Sequence, residues 1–172
     1  MCKVLTELDI KTVFSQNGKM KKSSQNGIAL YNFGIPAFQS KTGLKTCPNA
    51  SKCVAGCYAK SGAYLFSNVA AAFEKRLALT QHPDFINVIK SQIETLLKRH
   101  KTGLIMIRVH DSGDFYSSQY QTYWYEIAKL FLNETRLSFY AYTKQVSQSK
   151  ALSQIKPSNF RLIFSYGGLE DS

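Results

Sequence analysis

A chain of 172 residues with 44% hydrophobic and 19% charged residues has the make-up of one globular domain able to bury a core. No apolar run approaches the roughly 20 residues that span a bilayer, and nothing at the N-terminus has the pattern of a secretory leader. The expectation is therefore a cytoplasmic protein with no membrane partner and no secreted disulfide framework. The formal net charge of +11, from 22 basic and 11 acidic residues, favours contact with a polyanion, nucleic acid first among them.

Residues 1–26 read as a mobile basic segment. Lys19, Lys21 and Lys22 lie beside Ser23, Ser24, Gln25, Asn26 and Gly27, which suits a solvated loop better than a phosphate site. Residues 27–172 read as one α/β domain. Ile28–Phe33 is apolar and β-prone, and Gly34 and Pro36 end it. A cysteine-bearing loop follows. Ser67–Thr80 is Ala-rich and helical, with Val69, Phe73 and Leu77 on one face, and His82-Pro83 breaks it. A second helix over residues 83–99, with Pro83 in its first turn, carries a core stripe of Phe85, Val88, Ile89, Ile93, Leu96 and Leu97. Leu104–Val109 reads as a buried strand that delivers the polar turn His110-Asp111-Ser112-Gly113-Asp114-Phe115. Next come a helix over 117–132, a strand over 136–142 ending at Thr143-Lys144, and a short helix over 147–155 stopped by Pro157. A last strand over 160–165 runs into Tyr166-Gly167-Gly168.

Strands alternating with helices imply a mostly parallel sheet with right-handed helical crossovers, a partial (β/α) barrel-like arrangement. In such sheets the loops that follow the strands share the carboxyl edge, where ligands bind. Four segments should meet there: the Cys loop, the His110–Phe115 turn, Thr143-Lys144 and Gly167-Gly168. The final strand has no helix after it. The expectation is therefore a domain cut short at its C-terminus, or an edge covered by another copy.

The Cys loop carries the chemistry. Cys47, Cys53 and Cys57 are separated by gaps of five and three residues, within a Pro-, Asn-, Ser-, Lys- and Gly-rich stretch with no apolar periodicity. Core packing does not explain three thiols in such a loop. Thiolates are soft ligands that suit an iron–sulfur cluster or zinc, and either centre ordinarily takes four protein ligands. Three clustered cysteines leave one corner. His110, Cys2 or a bound small molecule would fill it, and His110 is alternatively an acid–base group or a residue hydrogen-bonded inside its turn. Gly113 lets backbone approach a ligand closely. The Asp114 carboxylate beside it suits an ammonium or ribose hydroxyls, or else caps the helix that follows. Lys144 suits an anion, and Arg108 suits a phosphate, a carboxylate or solvent.

Cys47, Cys53 and Cys57 followed by Tyr58-Ala59, then Arg108-x-His110-x-Ser112-Gly113-Asp114-Phe115, then Tyr142-Thr143-Lys144, resemble the phage and plasmid gene product 88 domain family. The resemblance covers residues 26–168 and implies a host-cell cytoplasmic protein of a mobile element. A Cys triplet ending in Cys57-Tyr58-Ala59 after a first parallel strand is also similar to radical S-adenosylmethionine proteins, although the gaps here are longer than is usual there. That similarity implies a 4Fe-4S cluster on Cys47, Cys53 and Cys57. It also implies S-adenosylmethionine on the open iron, with Gly113-Asp114 facing the cofactor ammonium.

Two classes of function fit these readings. One is a radical S-adenosylmethionine-like enzyme acting on or near nucleic acid. The other is a non-enzymatic basic module that binds nucleic acid and is stapled by a structural zinc or iron–sulfur centre.

Overall fold

The structure, a computed structural model, describes residues 3–23 and 27–171. Its centre is a four-stranded sheet of β1 (Ile28–Phe33), β2 (Leu104–Val109), β3 (Leu137–Thr143) and β4 (Phe160–Phe164), hydrogen-bonded in that order. All three pairings are parallel, with Phe33 opposite Val109, Ile107 opposite Phe139, and Phe139 opposite Phe160. The sheet is open and does not close into a barrel. Parallel neighbours in sequence order need a crossover each. These are α3 (Ser67–Thr80) and α4 (Phe85–Arg99), α5 (Ser118–Lys129), and α6 (Val146–Ala151) with a 3-10 turn at Ser153–Ile155.

Strand alternation assigns the two sheet faces. Tyr31, Phe33, Ile105, Ile107, Val109, Phe139, Ala141 and Phe160 are buried on one face. The helices meet them with stripes at helical spacing: Phe85, Val88, Ile89 and Ile93 from α4, and Tyr120, Trp124 and Ile127 from α5. Phe33 sits at the junction, its ring centroid 5.1 Å from Trp124 and 6.1 Å from Phe85, both edge-on. It is fully buried, so Phe33→Ala would cost about 3–5 kcal/mol. Local signals set the helix ends. Ser117 caps α5 by accepting the Tyr120 N–H at 3.2 Å, and Lys98 and Arg99 lie in the last turn of α4, where cations complement the helix dipole. Capping of α5 therefore falls to Ser117 and leaves Asp114 for other contacts.

Among the described residues the other face is covered over β1, and the Cys loop meets its carboxyl end where Tyr58 bonds Arg108. Over β1, α2 (Gly18–Ser23) reaches the sheet, with Asn32 Nδ2 donating to Met20 Sδ at 3.1 Å, and Ser15 exchanges both backbone hydrogen bonds with Asn32 at the strand's outer edge. Over β2–β4 the second face carries Met106, Arg108, Ser138, Tyr140, Tyr142, Arg161 and Ile163, all half-buried or exposed.

The N-terminal part differs from the mobile segment that its composition suggests. Beyond α1 (Lys3–Glu7), with Val4 and Leu5, the buried residues Ile10, Val13 and Phe14 also join the main core, and Lys75 of α3 pairs with Asp9. Apolar residues arriving singly or in pairs between polar ones give no helical or strand period, so only tertiary contact reveals that they are interior. Ser24, Gln25 and Asn26 lie outside the described residues, as does Cys2. Among the described residues no helix is long and apolar enough to cross a membrane.

Candidate functional site

The Cys loop starts where β1 runs out. Phe38, at φ 62°, reverses the chain, and Gln39 and Lys45 form an antiparallel bridge that brings Thr46 and Cys47 back beside it. The Phe38 carbonyl accepts the N–H groups of Thr46 and Cys47, and the Phe38 N–H donates to Cys47 Sγ at 3.4 Å. Cys53 lies in a 3-10 turn over Lys52–Val54, and Cys57 immediately precedes another over Tyr58–Lys60. The absence of apolar periodicity thus corresponds to tight turns wound around a hollow. All three cysteines are free thiols of intermediate burial.

Each of the other three edge segments is bonded to this loop or to one another. Gly167 presents its carbonyl to the N–H groups of both Ser51 and Cys53 at 3.1 Å, and Leu169 N–H donates to Asn49 O at 2.9 Å. Gly167 has φ +92°, and a Cβ there would lie 2.8 Å from Cys53 Cβ, so only glycine allows this approach. Asp114 N–H donates to Thr46 O at 2.9 Å. The Asp114 carboxylate accepts from Phe115 N–H and Thr143 Oγ1 through Oδ1, both at 2.7 Å, and from Lys144 N–H through Oδ2 at 2.9 Å. Lys144 Nζ reaches Ser165 Oγ at 2.7 Å. The convergence expected from parallel topology is present.

Residue by residue, the site departs from the sequence reading. His110 is 3% exposed and points into the core. Its Nε2 lies 2.9 Å from Tyr120 Oη and its ring 4.8 Å from that of Phe115, while Nδ1 has no partner. Burial, with the Arg108 charge adding, pulls its pKa down to about 3, so the imidazole is neutral. His110, expected as a fourth metal ligand, also borders the hollow of the three cysteines, with its Nε2 engaged by Tyr120, and the turn enters at φ 69° through His110 itself. Asp114 was expected to face a cofactor ammonium. Its three accepted bonds instead come from the chain, although its burial pushes the carboxyl upward and it still borders the hollow. Gly113, at φ +84°, would carry a Cβ 2.3 Å from Ile35 Cγ1, so its glycine serves close packing of the turn on the β1 exit.

The hollow holds about 350 Å³ and is lined by all three cysteines together with Tyr58, Arg108, Asp114, Tyr142 and Lys144. Burial pushes the Cys47 thiol up to about 12, against the Phe38 N–H bond, which favours the thiolate; Asp114 and the other two cysteines push the same way as burial. Cys47 is therefore protonated in the metal-free chain, and a bound metal would displace that proton. Among the described residues no three Cys, His, Asp or Glu side chains stand together at metal-holding distance.

Two groups were passed over in the sequence. Tyr58 donates its hydroxyl to Asp111 O and accepts from Arg108 Nη2 at 3.3 Å, so it ties the Cys loop to the turn. Asp111, between the more conspicuous His110 and Ser112, takes bonds on Oδ2 from Asn32 at 3.2 Å and Tyr64 at 3.3 Å. The placement of Tyr58 directly after Cys57 was a signal; nothing local marked Asp111.

The family model described as gene product 88 matches residues 10–172, nearly the whole chain and all four edge segments. The chain belongs to the gene product 88 family. No curated protein and no solved structure matches it. In this gene product 88 chain the matched span begins at Ile10 and so includes the buried Val13 and Phe14 along with the cavity.

Proposed function

We propose that this gene product 88 chain is an iron–sulfur protein of radical S-adenosylmethionine-like type that acts on or near nucleic acid. The observation that carries the reading is the gathering of Cys47, Cys53 and Cys57 on the wall of one cavity at the carboxyl edge of a parallel sheet. The donor set suits a cluster in type: three soft thiols within one short loop. The Phe38 N–H aimed at Cys47 Sγ supports it further, because hydrogen bonds to ligating sulfurs help set a cluster's reduction potential.

In this reading Cys47, Cys53 and Cys57 would hold a 4Fe-4S cluster, and S-adenosylmethionine would bind beside it in the same cavity. The cluster would supply one-electron chemistry. His110 has no part in the metal shell; it fixes the turn through Tyr120. Arg108 and Lys144 contribute positive charge to the cavity rim, opposite the negative charge that thiolates bring on metallation. Tyr58 and Asp114 hold the Cys loop, the β2 turn and the β3 exit at fixed separations, which limits water entry and orients a ligand. The excess of 11 positive charges supports a polyanionic partner.

The test is anaerobic purification followed by iron, sulfide and zinc analysis, with S-adenosylmethionine binding measured on the loaded protein. About four irons per chain, lost in Cys47→Ser, Cys53→Ser and Cys57→Ser alike, together with saturable binding of S-adenosylmethionine, supports the reading. One zinc per chain without iron would replace it by the stapled nucleic-acid module. A chain that takes up neither metal would remove both.

A further inference from the structure

The two faces of the sheet are built from different residues. The helix-covered face is Ile, Val, Phe, Leu, Ala and Tyr, with Thr143 at its carboxyl end. The open face over β2–β4 has at its centre a row across three strands, with Arg108 opposite Tyr140 and Tyr140 opposite Arg161. One step toward the carboxyl edge, Tyr142 lies opposite Ile163. Tyr142 is 44% exposed, and Arg161 is exposed as well. The Arg108 guanidinium lies over the Tyr142 ring at 5.1 Å from its centroid, and the Tyr140 and Tyr142 rings meet edge-on at 6.2 Å. No strand of the sheet contains an Asp or a Glu.

A face meant to receive a helix or a second apolar surface would repeat the aliphatic composition of the covered side. This one presents the tyrosine rings of β3 between an arginine of β2 and an arginine of β4, each strand about 4.8 Å from the next. The arrangement fits unpaired bases lying on aromatic rings with their phosphates beside arginines. A duplex offers no free base faces to such a surface. Arg108 and Tyr142 also line the cavity of the three cysteines, so the platform runs directly into it.

We infer that the open sheet face around Tyr140, Tyr142, Arg108 and Arg161 is a binding platform for single-stranded nucleic acid. The inference rests on the nucleic-acid half of the function proposed above. It goes further by naming the strandedness, the surface and the residues. The occupant follows from charge complementarity: a strongly basic chain exposes here a face whose strands carry no acidic residue, with arginine and tyrosine at its centre and the buried Asp111 at its edge.

The experiment is fluorescence anisotropy on the full, anaerobically purified chain. The probes are labelled oligothymidine, oligouridine and a duplex of equal length, each about 20 nucleotides, titrated over a range of salt. At least one of the two single strands should bind well above the duplex. Tyr140→Ala and Tyr142→Ala should each weaken that strand by about ten- to a hundredfold without changing the salt slope. Arg161→Gln should lower the slope by about one, and Tyr142→Phe should keep wild-type affinity, which separates stacking from misfolding. Equal binding of strand and duplex, with both alanine variants unchanged, overturns the platform and leaves a charge-only contact elsewhere. A wild-type dimer that Tyr142→Ala makes monomeric, with strand binding intact, overturns it in favour of a second copy on this face. If no probe binds even at low salt, the nucleic-acid half of the proposed function falls with it, while metal analysis still decides the cluster half.

Discussion

The Lys144 N–H donates to Asp114 Oδ2 at 2.9 Å, and this bond joins the turn after β2 to the exit of β3. Thr143 Oγ1 holds the other carboxylate oxygen at 2.7 Å, so one buried side chain spans two neighbouring strand ends. Asp114→Asn replaces one of these acceptors by an N–H₂ group and leaves a donor facing a donor. Unfolding by urea should show a loss of about 1–3 kcal/mol. Metal content per folded chain should fall with it. An unchanged urea midpoint with weaker S-adenosylmethionine binding would instead make Asp114 a cofactor contact.

Cys47 should be slow to alkylate. Its thiol is pushed up to about 12, chiefly by burial, so at neutral pH almost none is thiolate, and the thiolate is the nucleophile. In metal-free protein, peptide mass spectrometry after brief iodoacetamide treatment should find Cys47 largely unmodified. Labelling of Cys47 ahead of Cys53 and Cys57 would contradict the burial that sets its pKa. Metal loading should protect all three.

Gly167→Ala forces a Cβ to 2.8 Å from Cys53 Cβ at a backbone angle that costs a non-glycine residue about 1–2 kcal/mol. The expected result is a chain with native circular dichroism that binds less metal, because the Cys53 turn is pushed out of place. Full metal content in this variant would show that the loop does not depend on its clamp.

His110 makes stability pH-dependent in a defined direction. Its folded pKa is about 3 against an ordinary value of 6.5. Between those values the unfolded chain binds one more proton than the folded chain, so stability is complete above about pH 6.5 and is lost as pH falls toward 3. The slope from this group alone is about 1.4 kcal/mol per pH unit. Carboxylates titrate over part of the same range, so the comparison is with His110→Asn, a residue that tolerates positive φ. The wild type should lose denaturant resistance more steeply than the variant from pH 6.5 to 4. Parallel curves would mean that His110 is not held neutral.

The sheet was legible because Ile28–Phe33 and Leu104–Val109 are compact β-prone runs bounded by Gly, Pro or polar turns, and the helices between them dictate parallel pairing. Helix starts came out one to two residues late relative to composition, at Ser118, where the Ser117 side chain caps, and at Phe85, where Asp84 makes no side-chain cap. The Cys loop and its four-way convergence could be read from topology. The direction of single side chains could not. His110 looks like a ligand by type, and only the packing of Tyr120 and Phe115 shows why it turns inward. Val13 and Phe14 gave no period to read, and Asp111 finds its partners Asn32 and Tyr64 at long sequence separations.

The clamp of Gly167 on Cys53 also has a meaning in time. A ribosome releases the three cysteines early, soon after β1, but the Gly167 carbonyl that fixes their middle turn emerges more than a hundred residues after Cys53. Until β4 is laid against β3, the thiol pocket has a floor and no closing wall. Any metal capture into the finished pocket would therefore wait for Gly167, and a nascent chain stalled before it would carry its cysteines without that clamp.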